Sequence, residues 1–318
     1  MKYPKLLTLI ALISLSACNK EDESSNDNNA QLTFQFQFDE NQERLDGFGN
    51  PIQVATGNAA QSPDFNSMSV HYIELVPSKF TMVEQGTIVY TGETQVAASS
   101  SNFDDAIKWD EARVAGANET FLEVNLSDLE PGTYEYLRTS VTYQNTDVKF
   151  NLRNLPAPLP QDLMDQNGTL AGFIGFNTYI GDLQVKEHSV TVNADKPQGF
   201  WAFETRLDDP YQELFEQNTD PISTGQAPAG STTVVNPLAE FGVTLPQGSC
   251  IVTGQLETPL TITGEETEDI KITLSFSINQ SFEWIDNDGN GEWDFYISGG
   301  EQEPVVDMGL RGLVVKVD

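Results

Sequence analysis

Strict alternation of apolar and polar residues constrains this chain more than any other feature. Residues 31–38 read Gln-Leu-Thr-Phe-Gln-Phe-Gln-Phe, which puts Leu32, Phe34, Phe36 and Phe38 on one side of an extended backbone. A side-chain period of two marks a half-buried strand, whereas a helix would scatter these four residues around its axis. The pattern returns late in the chain. Ile270, Ile272, Leu274, Phe276, Ile278, Phe282 and Trp284 share one parity, broken by Gln280, while Lys271, Thr273, Ser275, Ser277, Asn279, Ser281 and Glu283 take the other. Fully extended, that stretch would reach about 50 Å, which predicts a bend or bulge near Asn279-Gln280.

Further strands are predicted at 69–76, 87–91, 120–126, 134–144, 147–152, 170–179, 184–193, 199–206, 250–256 and 310–317, separated by Gly, Pro and Asn turns. Between two of them, Pro131-Gly132 supplies a tight turn. Helical signals are confined to 160–167 and 209–217, each enough for one or two turns. The expected fold is all-β, an antiparallel β-sandwich with very few short helices. The Pro-, Gly- and Thr-rich stretch from Asn218 to Ser231 reads as a linker or a long loop. It divides the body into a β-sandwich domain at 31–207, a connection at 208–232 and a C-terminal β region at 233–318. The same pattern also fits one continuous sandwich.

Composition narrows the function classes. The 318 residues carry 48 Asp and Glu against 16 Lys and Arg, a formal net charge of −32. Such a surface is repelled by the phosphates of nucleic acid. Two cysteines cannot staple a scaffold, and two histidines cannot build a His-rich zinc or copper centre. With 38% hydrophobic and 10% aromatic residues, the chain is not a disordered acidic tail.

The first thirty residues read as an address. Lys2 and Lys5 precede an apolar run from Leu6 to Leu15, too short to span a bilayer at about 20 residues per helix. The run ends in Leu15-Ser16-Ala17-Cys18, which resembles the bacterial lipoprotein signal. The resemblance implies removal of residues 1–17 and a diacylglyceryl anchor on Cys18. Asn19-Lys20-Glu21-Asp22-Glu23 is similar to the surface-export signal of Bacteroidota lipoproteins, and residues 18–30 then form an acidic, Ser- and Asn-rich tether. Together these imply an outer-membrane, lipid-anchored, cell-surface protein. Residues 1–17 hold two lysines and no acid, so 14 bases would face 48 acids in the mature chain, a net charge of −34.

Residues 31–207 also loosely resemble the MbnP-like β-sandwich lipoproteins, through the opening strand, the Pro131-Gly132-Thr133-Tyr134 hairpin and Gly199-Phe200-Trp201. Members linked to copper use histidines and tryptophans. This chain offers only His71 and His188, so no copper ligand is carried over.

The sharpest local motif is Asp286-Asn287-Asp288-Gly289-Asn290-Gly291-Glu292-Trp293-Asp294. It resembles the calcium loop of EF-hand proteins, where alternate positions of a tight loop converge oxygen ligands on one Ca²⁺. Asp286, Asp288, Asn290 and Asp294 would offer side chains and Glu292 its backbone carbonyl. The twelfth position is Ile297 rather than Glu, and the flanks read as strands. A final ligand would have to come from elsewhere, with Glu301 and Glu303 nearest. The competing reading is a polar hairpin turn, since Asp-Gly and Asn-Gly favour turns.

Trp284 and Trp293 flank the acidic loop; Trp284 shares the parity of a core, and Trp293, inside the loop, is the better exposed candidate for a glycan or peptide ligand. Cys250, without a partner once Cys18 is lipidated, reads as a small buried hydrophobe. The sequence contains no nucleophile elbow, zinc-protease helix or phosphate loop. The leading expectation is a non-catalytic ligand-binding or accessory module, stabilised by calcium, with an outer-membrane transport complex as a candidate partner. The alternatives are an extracellular, carboxylate-dependent hydrolase of glycosidase type and a purely structural or adhesion component.

Overall fold

The computed structural model describes residues 30–98, 104–217, 219–227 and 250–318. The expected anchor at Cys18, the tether up to Asn29 and residues 228–249 lie outside them. The described chain is all-β, and its one α-helix is Tyr211–Glu216, inside the 209–217 stretch expected to turn.

The strand Gly132–Arg153 is the spine of a twelve-stranded sheet. Two strands, 134–144 and 147–152, were expected in its place. It runs unbroken because the polar residues between them are buried and find partners: Gln144 Nε2 donates to the Met308 carbonyl at 2.5 Å and Asn145 Nδ2 to the Val185 carbonyl at 2.7 Å. Asp64–Val76 pairs antiparallel along one edge of the spine. On the other edge Ile251–Ile262 pairs with the first half and Leu163–Phe173 with the second. The helix expected at 160–167 gives way to this last strand, whose ladder with the spine supplies hydrogen bonds that one isolated helical turn could not.

Sequence-distant strands therefore share one sheet. Gln31–Asp39 runs parallel to Ile270–Ser277, with Phe34 opposite Ile272 and Phe36 opposite Leu274. Because strands from both sides of 208–232 pair with each other and with the spine, that stretch does not mark a boundary between separate sheets. Within it, Ile222–Gln226 is itself a strand and pairs with Phe200–Arg206. After Phe173 the chain leaves the large sheet for a four-stranded one, so the expected strands 170–179 and 184–193 become Leu163–Phe173, Thr178–Gln184 and Ser189–Lys196.

Leu32, Phe34 and Phe36 are fully buried, as their parity predicts. The later strand differs: Thr273, Ser275 and Ser277 are buried too. Residues after the first strand cover that face, with Ser275 Oγ bonded to Gln42 Oε1 at 2.9 Å and Ser277 Oγ donating to the Gln42 carbonyl at 3.0 Å. The predicted bend is real. The strand stops at Ser277, Gln280 takes φ +48°, and Phe282–Ile285 resumes in a three-stranded sheet beside Asn58–Gln61 and Val305–Asp307. Glu283 is locked there by Arg44 and by Arg311 (3.1 Å), all three buried, and Arg311 also reaches Asp307 at 3.0 Å.

Candidate functional site: an aromatic cavity beside the acidic loop

Two features meet at one end of the spine. The first is a cavity of about 880 Å³, within the range of small-molecule sites. It lies among the last residues of the spine, the strands Phe200–Arg206 and Ile222–Gln226, the helix Tyr211–Glu216 and the segment from Ile297 to Met308. Its walls are mostly hydrocarbon and aromatic, with Phe150, Trp201, Phe203, Phe282 and Trp293 among them. The Trp293 ring stands edge-on to Phe203 (5.8 Å between centroids, 84°) and to Phe282 (4.9 Å, 65°), orientations that place ring edges against ring faces.

Two glycines make room for the walls. A Cβ on Gly225 would lie 2.3 Å from the Trp201 ring directly across the ladder, and one on Gly168 would lie 2.0 Å from Phe203. Each ring thus occupies space on a neighbouring strand that the side chain of any larger residue would need. The lining chemistry is one-sided. Among the described lining residues, the ionisable side chains are Asp220 and Glu303, both acids.

The second feature is the acidic loop. Asp286 closes it by accepting backbone N–H groups from Gly289 (2.8 Å), Asn290 (3.1 Å) and Gly291 (3.0 Å). Ligand oxygens of Asp286, Asp288 and Glu303 lie within 4.8 Å of one another. Glu303, rather than Glu301, is thus the residue that comes in from outside the motif. Its carboxylate accepts the N–H of Asn287 at 3.0 Å and of Asp294 at 2.7 Å. Burial lifts that carboxyl above the usual range, and repulsion from Asp294 and Asp288 adds to the shift against the two N–H bonds.

The remaining motif residues point elsewhere. Asp294 is buried, and Asn151 (2.7 Å) and Arg153 (3.0 Å) on the spine hold its carboxylate. Burial opposes its charge, but the bonds from Arg153 and Asn151 outweigh this and keep its carboxyl below the usual range. Glu292 is engaged through its side chain, which accepts from Asn151 at 2.8 Å. Asn290 aims its amide NH₂ at Asp288 (3.0 Å) and Asp294 (3.1 Å), the polarity two carboxylates demand; a cation there would take the amide oxygen after rotation of the terminal amide. Nothing in the motif's spacing points to Asn151 or Arg153, which lie some 140 positions upstream.

Trp293 is not the exposed platform that its place in the loop suggests. It is half-buried, its ring forms cavity wall, and its Nε1 donates to the Glu303 carbonyl at 3.1 Å. Trp284 is buried, as its parity predicts. Cys250 is fully buried, which pushes its thiol up to about 12 and leaves it unreactive. Neither histidine lines the cavity. His71 bonds Thr142 Oγ1 at 2.9 Å, and His188 faces Glu204 at 3.1 Å and Glu216 at 3.7 Å.

Comparison with protein-family models, with curated proteins and with solved structures finds no match for this chain.

Proposed function

We propose that this protein is a non-catalytic, lipid-anchored surface module that holds a small apolar ligand in the cavity walled by Trp201, Phe203 and Trp293. The cavity carries the reading: large enough for a small molecule, lined mainly by hydrocarbon, and built on a sheet whose rings are seated over Gly168 and Gly225. A hydrocarbon wall suits an apolar molecule better than a hydroxyl-rich glycan, which needs many convergent polar groups. The address is supported by the lipobox ending at Cys18 and the acids behind it. In this reading Ca²⁺ at Asp286, Asp288 and Glu303 braces the wall from outside, because Glu303 belongs both to the carboxylate group and to the cavity lining.

Titration with phenylnaphthylamine, a neutral apolar fluorophore, tests the cavity. Saturable fluorescence enhancement is expected, and Ser223→Trp, which fills the cavity from an exposed lining position, should abolish it without lowering Tm. No saturable enhancement, or enhancement untouched by Ser223→Trp, would overturn the assignment. Anchoring is tested separately: Cys18→Ala should end incorporation of labelled palmitate by cells expressing the protein.

A further inference from the structure

Resting on the reading of the cavity as a ligand site, we infer that its ligand is uncharged or cationic, and that anionic amphiphiles such as fatty-acid carboxylates are excluded. The inference comes from the charges placed around an apolar space. Ligands that combine a hydrocarbon body with one polar head are sorted by what the site offers the head. A carboxylate or sulfate head needs an Arg, Lys, histidinium or a cluster of free N–H donors, because leaving such a charge unpaired against a low-dielectric wall is very costly.

No such partner lines this cavity among the described residues. Its two ionisable groups, Asp220 and Glu303, carry negative or neutral forms only. Asp220 is exposed at the end of the strand Ile222–Gln226, where one of its oxygens already accepts the Ile222 N–H at 2.9 Å. Behind Glu303 stand Asp286 and Asp288, so the potential on that side is negative as well. The nearby base Arg153 is committed to Asp294 and is not part of the lining. The sequence reinforces this picture, since no Lys, Arg or His occurs between Arg206 and Lys271, the stretch that supplies the helix and the strand Ile222–Gln226.

A cation meets the opposite conditions. The aromatic lining, which includes Trp201, Phe203 and Trp293, suits an ammonium group better than a carboxylate, and Asp220 offers an accessible carboxylate at the same cavity. An uncharged head, such as an alcohol, meets neither penalty nor charge reward and can use Gln226, Ser223 or Gln302. The order of affinity expected from these terms is ammonium first, alcohol next and carboxylate last. A bound Ca²⁺ at the neighbouring carboxylates would reduce the field from that side but would leave Asp220 and the aromatic lining unchanged.

Three probes that share one alkyl chain separate these cases: dodecyltrimethylammonium, dodecanol and dodecanoate, each used below its aggregation threshold to displace phenylnaphthylamine from the full chain carrying Cys18→Ala. The ammonium probe should displace at concentrations at least about tenfold lower than the carboxylate, with the alcohol between them. Asp220→Lys should narrow or reverse that order, and the fluorophore itself reports that the cavity is intact. Dodecanoate binding as tightly as the ammonium probe, or an order unmoved by Asp220→Lys, would overturn the charge inference while leaving the cavity reading intact. Failure of the fluorophore to bind at all would overturn both.

Discussion

The Trp293 indole donates its Nε1 hydrogen to the backbone carbonyl of Glu303 at 3.1 Å, while the Glu303 carboxylate accepts the N–H of Asp294 at 2.7 Å. Two adjacent loop residues are thereby tied to the carbonyl and the side chain of one residue on the following segment. The ring that walls the cavity and the carboxylate that closes the acidic group are held by the same pair of tethers. Trp293→Phe keeps a ring in place but deletes the donor. It should cost about 1 kcal/mol in denaturant unfolding. Phenylnaphthylamine affinity should fall with it, because an untethered ring no longer fixes that wall.

Calcium binding should appear as added stability. At a free Ca²⁺ concentration about 100 times its Kd, the ion would contribute about 2.7 kcal/mol. A chelator titration followed by Tm reads this directly. Asp288→Asn removes one charge from an exposed side chain while leaving the loop-closing bonds of Asp286 in place, and it should abolish the difference. An unchanged Tm between millimolar Ca²⁺ and chelator would rule the ion out as a stabiliser.

Gly225→Ala tests whether the cavity depends on the ring seated over that glycine. The new methyl would fall within van der Waals overlap of Trp201, whose ring is the movable party. The expected outcome is a ring displaced into the cavity, seen as a shifted tryptophan emission maximum and at least about tenfold weaker fluorophore binding. Unaltered binding would show that the ring wall does not define the site.

The pH dependence of stability should carry a signature of His188. A side-chain hydrogen bond to Glu204 raises its pKa above the ordinary 6.5, with the charges of Glu204, Glu216 and Glu187 contributing and desolvation opposing. A raised cationic pKa means that the stabilisation is fully present below the unfolded value and fades as pH climbs through the folded one. Tm should therefore decline as pH rises above the ordinary imidazole value, and His188→Asn should flatten that slope. Partial exposure keeps the effect small.

Arg311→Leu should be far more damaging. Glu283 is buried and faces both Arg44 and Arg311, so deleting one cation leaves an under-compensated buried carboxylate. A loss of about 3–5 kcal/mol is expected in urea unfolding. Arg311→Lys, which keeps a cation beside Glu283 and Asp307, should lose much less.

Much of the all-β character could be read directly from residue parity, and the reason is visible in the first strand. Leu32, Phe34 and Phe36 enter the core while the alternate residues do not, so burial on a single face wrote itself into the sequence. Where both faces are covered, parity misled. Thr273, Ser275 and Ser277 read as solvent-facing but are buried, and Gln42 accepts hydrogen bonds from the two serines. The acidic loop was legible as a cluster, yet which of its members converge was not. That depends on Glu303, nine residues past Asp294, and on Asn151 and Arg153 of the spine, which take Asp294 for themselves. The cavity was illegible because its walls come from distant parts of the chain, and the small residues that seat its rings, Gly168 and Gly225, look in sequence like ordinary strand interruptions.

The pairing of Gln31–Asp39 with Ile270–Ser277 sets the order in which this protein can be completed. The opening strand also pairs with Thr120–Asn125, but its other edge has no partner until a strand more than two hundred positions later has been made. Until then four large apolar side chains stand on a segment with one raw edge, the kind of surface that joins other chains. Closing so long a loop is slow, and every intermediate on the way keeps that edge open. A carrier that keeps the nascent chain extended until its last strands are available would solve this problem, and a truncated product lacking residues 270–277 should accumulate as aggregate rather than as a smaller folded domain.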